Sequence, residues 1–225
     1  MAYYRHNDLE VSNGNTKIGD DTLIFNITSA TDCPSRARGM CQLSDPLKQC
    51  YAHKPEAFRP GCLAYRRRQA HYWARNTITQ ISRDFAELLL RFPSLKRVRF
   101  IRINEAGDFR NQGDVHKLNM IAADVNAHLV MVGRNALTWY GYSARYDLDF
   151  SSCPNILIKG SGHDTGNNGK TITVDPDLLF VNSGVTKGGY TEYDGKLCYI
   201  CPGSCRTCSF CKEPTVNTTL IIPKH

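Results

Sequence analysis

Seven of the ten cysteines in this 225-residue chain fall into two dense groups. Cys33, Cys41 and Cys50 lie near the start; Cys201, Cys205, Cys208 and Cys211 lie near the end, with Cys198 just ahead of them. The second group reads CPGSCRTCSFC, a C-x3-C-x2-C-x2-C run that places four thiols within eleven residues, too close together to be explained as core filling. Two-residue spacers bring successive sulfurs back toward one centre, so that three thiolates curl round one face of a cubane cluster. Iron-sulfur binding is the leading reading of this pattern.

Three alternatives compete with it. A disulfide framework is the usual reading of dense cysteines in a secreted chain. The opening MAYYRHNDLEVSNGNTK has no apolar stretch of signal-peptide length, and a chain of this size buries a core without staples. Structural zinc favours separated C-x2-C pairs, and Cys198/Cys201 with Cys208/Cys211 offer such pairs. Only six residues lie between them, and zinc leaves Cys205 and the whole first group unused. Inert buried thiols are the third alternative, and the better reading of the isolated Cys62 and Cys153.

The net charge of +7, from 28 basic and 21 acidic residues, favours an anionic partner without the excess of a dedicated nucleic-acid binder. Arg66, Arg67, Arg68 and Arg75 gather with Tyr65, His71, Tyr72 and Trp73. That segment reads either as a helix contacting phosphate, from RNA or another anionic partner, or as an ordinary solvated helix face. No segment has the about twenty apolar residues that a membrane span needs, so a cytoplasmic location is expected and no membrane partner.

Between the cysteine groups, short apolar runs alternate with amphipathic stretches, which is the pattern of an α/β fold in one domain over residues 1–225. Strands are expected at Thr22–Thr28, Arg97–Ile103, Leu137–Tyr142, Asn155–Lys159, Lys170–Val174, Leu178–Asn182 and Thr219–Ile222. One helix carries Ile78, Ile81, Phe85, Leu88 and Leu89 on a single face, with Asn76 or Thr77 as its cap and Pro93 closing it. Another follows a cap at Asp114. Eight strand-helix units need about 250 residues, so the expectation is a compact or incomplete TIM-like (β/α) barrel with cysteine-rich loops at both chain ends. Closure of such a barrel sets the first and last loops side by side and with them the two cysteine groups. The glycine-rich GSGHDTGNNGKT, Gly160 to Thr171, lacks the order of a phosphate-binding loop and reads as a plain connection.

The first cysteine group, TDCPSRARGMCQLSDPLKQCYA, is preceded by NTKIG and followed by RINEAGDF. Together with the closing CPGSCRTCSFC this order resembles the phage "gene product eighty-eight" family. The matching residues are Cys33-Pro34, Cys41, Cys50-Tyr51-Ala52, Arg102, Gly107-Asp108-Phe109, Cys201-Pro202, Cys205, Cys208 and Cys211. The resemblance implies a viral, bacteriophage-type protein in the host cytoplasm, acting on a host component and holding an iron-sulfur cluster on a barrel-like fold. The CYA ending also resembles radical SAM enzymes, whose C-x3-C-x2-C loop leaves one iron open for S-adenosylmethionine. The first group here is C-x7-C-x8-C, and the four-thiol run can fill every coordination site, so radical chemistry is not the leading expectation.

The seven clustered thiols are therefore candidate metal ligands, with a [4Fe-4S] cluster, shared between the groups or held by the C-terminal run, as the expected cofactor and zinc as the alternative. Arg36, Arg38, Arg206 and Lys212 are placed to stabilise thiolate charge, and Gly39 and Gly203 to offer N–H groups. An iron-sulfur protein with a structural, redox or regulatory role leads. A SAM-dependent or redox enzyme, using a polar pocket with Glu105, Asp108, Tyr142, Arg145 and His163, and a zinc-stabilised nucleic-acid-binding module are the alternatives.

Overall fold

The computed structural model describes residues 2–15, 17–41, 43, 45–180, 186–215 and 218–223. Strands β1 (Ala2–His6) and β2 (Leu9–Asn13) form an antiparallel hairpin, turned at Asn7 with φ 52°. β3 (Thr22–Phe25) follows, and then the segment that carries the first cysteines, with short helices α1 (Pro34–Ala37), α2 (Pro46–Gln49) and α3 (His53–Phe58). Two longer helices, α4 (Pro60–Arg75) and α5 (Ile78–Arg91), lead to β4 (Phe100–Ile103), and α6 (Gln112–Met131) leads to β5 (Thr138–Ser143). The rest is strand-rich: β6 (Ile156–Ser161), β7 (Lys170–Val174), α7 (Pro176–Phe180), β8 (Tyr190–Tyr193), β9 (Lys196–Ile200) and β10 (Thr219–Pro223).

The ten described strands form one sheet in the order β1-β2-β3-β4-β5-β6-β7-β10-β9-β8. Seven of them, β3 to β7 with β10 and β9, run parallel, while β1, β2 and β8 are antiparallel to their neighbours. The α/β expectation is met. The sheet is not closed among the described strands, and the reason is local. Hairpin β1–β2 occupies the free edge of β3, and β8 occupies that of β9, so neither terminal parallel strand presents an open edge to the other. Both hairpins turn on residues suited to positive φ, Asn7 in one and Asp194-Gly195 (φ 53° and 67°) in the other.

The period-2 alternation of the strands divides the sheet into two chemically different faces. Leu23, Phe25, Ile101, Ile103, Trp139, Ile156 and Ile158 point one way and are fully or nearly fully buried. They join Trp73, Phe85, Leu89, Val115, Leu118, Ile121 and Val125 of α4, α5 and α6 in the main core. Each large side chain so buried contributes about 1.5–3 kcal/mol. The opposite face carries Arg102, Tyr140, Tyr142 and Lys159 in register. It is covered by the C-terminal cysteine segment, whose 3-10 turn Phe210–Lys212 packs on β5 and β6.

Two local expectations are corrected. Residues 178–180, expected in a strand over Leu178–Asn182, belong to α7; Pro176 stands at its start, and Asp175 accepts the N–H of Asp177 at 3.1 Å as a cap does. Residues 181–182 lie outside the described residues. Helix α6 is capped by Asn111, whose Oδ1 accepts the Asp114 N–H at 3.0 Å, three residues before the expected cap. Thr77 caps α5 through a full capping box with Gln80, as expected. Among the described residues no helix is long and apolar enough to cross a membrane.

Candidate metal centre

All ten cysteines are described, and all are free thiols. Three stand outside the seven candidate ligands. Cys153 belongs to the main core and Cys198 to a second apolar cluster with Val174, Leu179, Ile200 and Ile221. Cys62 sits on α4, its thiol pushed up by burial, near Arg66.

The first group is held by the loop after β3. Cys33 occupies the N-cap position of α1. Burial pushes its thiol up to about 11, and the nearby Asp108 and Cys41 add to that, while N–H groups of Arg36 and Ser35 work against it. Cys50 packs against Ala30, Ala52 and Ala106, and the next residue, Tyr51, donates its hydroxyl to the Glu105 carbonyl at 2.8 Å. The loop is tied to the sheet through Asp108. That carboxylate accepts from Ser35 Oγ at 2.6 Å, Ser143 Oγ at 2.7 Å and the N–H groups of Ala144 and Phe109 at 2.8 Å. Gly107, at φ 74°, lets the chain pass; a Cβ there would lie 2.1 Å from Thr28 Oγ1 and 2.8 Å from the Ser29 carbonyl.

The second group lies against the polar face of the sheet. The Cys205 N–H donates to the Lys17 carbonyl at 2.8 Å, which docks the run on the β2–β3 connection. Cys201 accepts the Gly203 N–H at 3.4 Å, and Cys208 lies 3.6 Å from the Tyr199 hydroxyl. The Tyr199 ring stacks on Phe210 at 4.3 Å. Cys211 is pushed up to about 11 by burial, against a hydrogen bond with Tyr142 and the charge of Lys159; Cys201 and Cys205 are near enough to add to the rise. Burial also raises the Cys205 thiol, opposed by the charges of Arg102, Lys212 and Lys17.

Three buried cations face this run. Arg102 is 8 % exposed and lies 4.1 Å from the centre of the Tyr142 ring and 5.4 Å from that of Tyr140. Its Nε has no hydrogen-bond partner among the described residues. Lys159 is fully buried; it donates to the Asn168 carbonyl at 2.6 Å and to the Thr215 hydroxyl, and lies 5.1 Å from the Phe210 ring centre. Burial pushes Lys159 down to about 8, with Cys211 and Asp164 holding it up. Lys212 lies over the Phe100 ring at 4.1 Å and donates to the Cys205 carbonyl at 3.3 Å, with Asp21 at 3.8 Å. Among the described residues neither Arg102 nor Lys159 forms an ion pair with a carboxylate. An unpaired buried charge costs several kcal/mol, and a desolvated cation–π contact returns about 2 kcal/mol. The balance favours an anion at this face.

Chemically, the donor set suits a thiolate-ligated metal group. Raised thiols stay protonated in the metal-free protein, so loading of a metal group would release protons and exchange them for a negative centre that the three cations would face. Among the described residues, the trio of metal-type ligand atoms lying within 4.8 Å of one another is His6, Asp84 and Glu87, and it includes no cysteine. Around a single zinc ion, Zn–S bonds of about 2.3 Å hold the sulfurs close together. A cubane holds them farther apart, because each sulfur binds a different iron.

Several sequence expectations come out differently at this level of detail. Glu105 takes Arg66 at 3.3 Å and the Asn15 amide at 2.8 Å, and Arg145 is spent on Asp147 at 2.7 Å and on the Phe109 carbonyl at 2.6 Å. Asp108 is saturated, Tyr142 lies at Cys211, and His163 lies against Tyr146 with its Nε2 buried and without a hydrogen-bond partner among the described residues. Gly39 gives its N–H to the Arg36 carbonyl at 3.1 Å rather than to a sulfur, and Arg38 lies 3.9 Å from Asp147. Arg36 is turned to the Thr31 carbonyl, and the Arg206 side chain lies beside Gly19. The basic helix is neutralised: Arg66 pairs with Glu56 at 2.9 Å, Arg67 with Asp32 at 2.8 Å, Arg68 with Glu10 at 3.0 Å, and Arg75 with Asp8. Lys159, Tyr199 and Phe210 join the site without having been expected there from the sequence. For Lys159 the signal was present, a basic residue alternating with Ile156 and Ile158 on a strand.

No curated protein and no solved structure matches the chain. A family model does, that of Gene product 88, over residues 5–130. The match takes in Cys33, Cys41, Cys50, the α4–α6 layer and the RINEAGDF turn, and it ends before the C-terminal run. It covers more than half of the sequence, and the chain therefore belongs to the Gene product 88 family.

Proposed function

We propose that this is a phage-type iron-sulfur protein, acting in the host cytoplasm, whose Cys201, Cys205, Cys208 and Cys211 hold a [4Fe-4S] cluster against the polar face of the sheet. On this reading the seven parallel strands are an incomplete barrel whose polar face receives the cluster, and the centre has a structural, redox or regulatory role. The observation that carries the reading is electrostatic. Arg102, Lys159 and Lys212 are buried around Cys205 and Cys211, and the first two have no carboxylate partner among the described residues. Buried charges persist when they are matched, and a thiolate-ligated cluster supplies the matching charge. Cys33 and Cys41 form a separate pair on this reading, tied to Asp108 instead of to the three cations.

The test is a comparison of two double variants purified without oxygen. Cys205→Ser/Cys211→Ser is expected to lose iron and acid-labile sulfide together, with the brown colour. Cys33→Ser/Cys41→Ser is expected to keep most of both. The opposite order would move the cluster to the first group. Zinc in place of iron would favour a zinc-stabilised module.

A further inference from the structure

Arg102 is unusual among the buried charges of this molecule. Arg66 and Arg145 each meet a carboxylate, at 2.9 and 2.7 Å. Arg102 is about as deeply buried, yet its surroundings are the Tyr51, Tyr140 and Tyr142 phenols and the Cys211 thiol, and its Nε–H has no acceptor among the described residues. The rings lie beside the guanidinium at 4.1 and 5.4 Å, and among the described residues that N–H is left for an atom from outside them. An arginine cannot relieve the cost by losing its proton.

We propose that Arg102 is a counter-charge held for the anionic metal–thiolate group of the C-terminal run, so that this residue opposes folding of the metal-free protein, favours uptake of the metal group and favours each electron added to it. The proposal rests on the cysteine-run reading above. An electron taken from a one-electron donor leaves the donor oxidised and the centre reduced by one unit of charge, with no bond made or broken in the protein. The added negative charge lies next to a fixed positive one in a medium where screening is weak, so the reduced state gains more than the oxidised state does.

Three variants of the full chain test it. Metal-free Arg102→Met is expected to melt several degrees above metal-free wild type, because an unmatched charge has been removed; a lower melting temperature overturns the proposal. In the loaded protein, Arg102→Gln is expected to lower the ratio of reduced to oxidised centre at a fixed electrode potential at least tenfold, which for one electron is 59 mV. Arg102→Lys keeps the charge and is expected to stay within about threefold of wild type. A Gln variant with full iron and an unchanged potential overturns the proposal. A Gln variant that folds but takes up little iron supports the uptake claim, and the metal-free comparison still decides the folding claim. Wild type that binds neither iron nor zinc would instead sink the cysteine-run reading, with the melting comparison still deciding whether Arg102 stands unmatched.

Discussion

Arg66 and Arg102 are neighbours in burial and opposites in pairing, and the contrast locates the chemistry at single residues. The Glu56 side chain is wholly buried and gives its oxygens to Arg66 and to the N–H groups of Ala30 and Thr31, at 2.9, 2.8 and 2.7 Å. Arg66→Ala leaves that carboxylate unpaired and is expected to cost about 3–5 kcal/mol, read as a shift in the urea midpoint; a change below about 1 kcal/mol would show that Glu56 takes up a proton or is hydrated instead. Asp114 supplies a pH test away from the cysteines. Burial raises its carboxyl, but hydrogen bonds from Arg110 and Trp73 outweigh that and hold it below its ordinary 3.8. Its contribution is therefore complete above that value and is lost as pH falls through the lower, folded value. Asp114→Asn is expected to be less stable than wild type at pH 7, with the gap closing below about pH 4; a gap of constant size across urea melts at both pH values would contradict the assignment. At this scale the two cysteine groups stand out in the sequence because their spacing carries the signal. Pairing partners were not: nothing local in RRR at Arg66–Arg68 says that the first arginine turns inward to Glu56 while the next two reach Asp32 and Glu10.

Elements were read best where one periodicity ran without interruption. Helix α5 repeats apolar residues at helical spacing from a Thr77–Gln80 capping box, and it was expected and found. Thr77→Ala is expected to cost about 1 kcal/mol, measured by urea denaturation; an unchanged midpoint would mean that packing on Phe25 and Trp139 alone fixes the start of the helix. Strands β3 to β7 were read as short apolar runs between amphipathic stretches, β4 from the alternation in Arg97–Ile103, and Arg102, Tyr140, Tyr142 and Lys159 on their opposite side are the polar face that the cysteine run covers. The hairpins were missed because their strands are short, carry charge and tyrosine, and lie at the sheet edges, where one side faces solvent. Their Asn-Asp and Asp-Gly turns were the available signal. Residues 178–180 show the opposite failure: an apolar run after Asp175-Pro176 is a capped helix, and the two residues before the run outweigh its hydrophobicity.

At the scale of the whole molecule, the first cysteine group follows the end of β3 and the second follows the end of β9, on a parallel sheet that is not closed among the described strands. The edge hairpins prevent closure. The C-terminal run reaches the sheet by crossing its polar face, docked through Lys17, Lys212 and the Tyr199–Phe210 stack. On the proposed reading, such a site would join the segment around Cys201–Cys211 to the β2–β3 connection, and metal binding there would contribute its free energy to folding. Chelation is therefore expected to lower the melting temperature of the loaded protein, and to release the C-terminal segment to proteolysis before the α4–α6 core. The family match reaches only residue 130 and is silent on this half of the site. The direct test of the central claim is anaerobic purification of the full chain, followed by an absorption spectrum and iron, sulfide and zinc analysis on one sample. About four irons and four sulfides per chain with a brown protein is the expected result; a colourless protein holding zinc and no iron would contradict it.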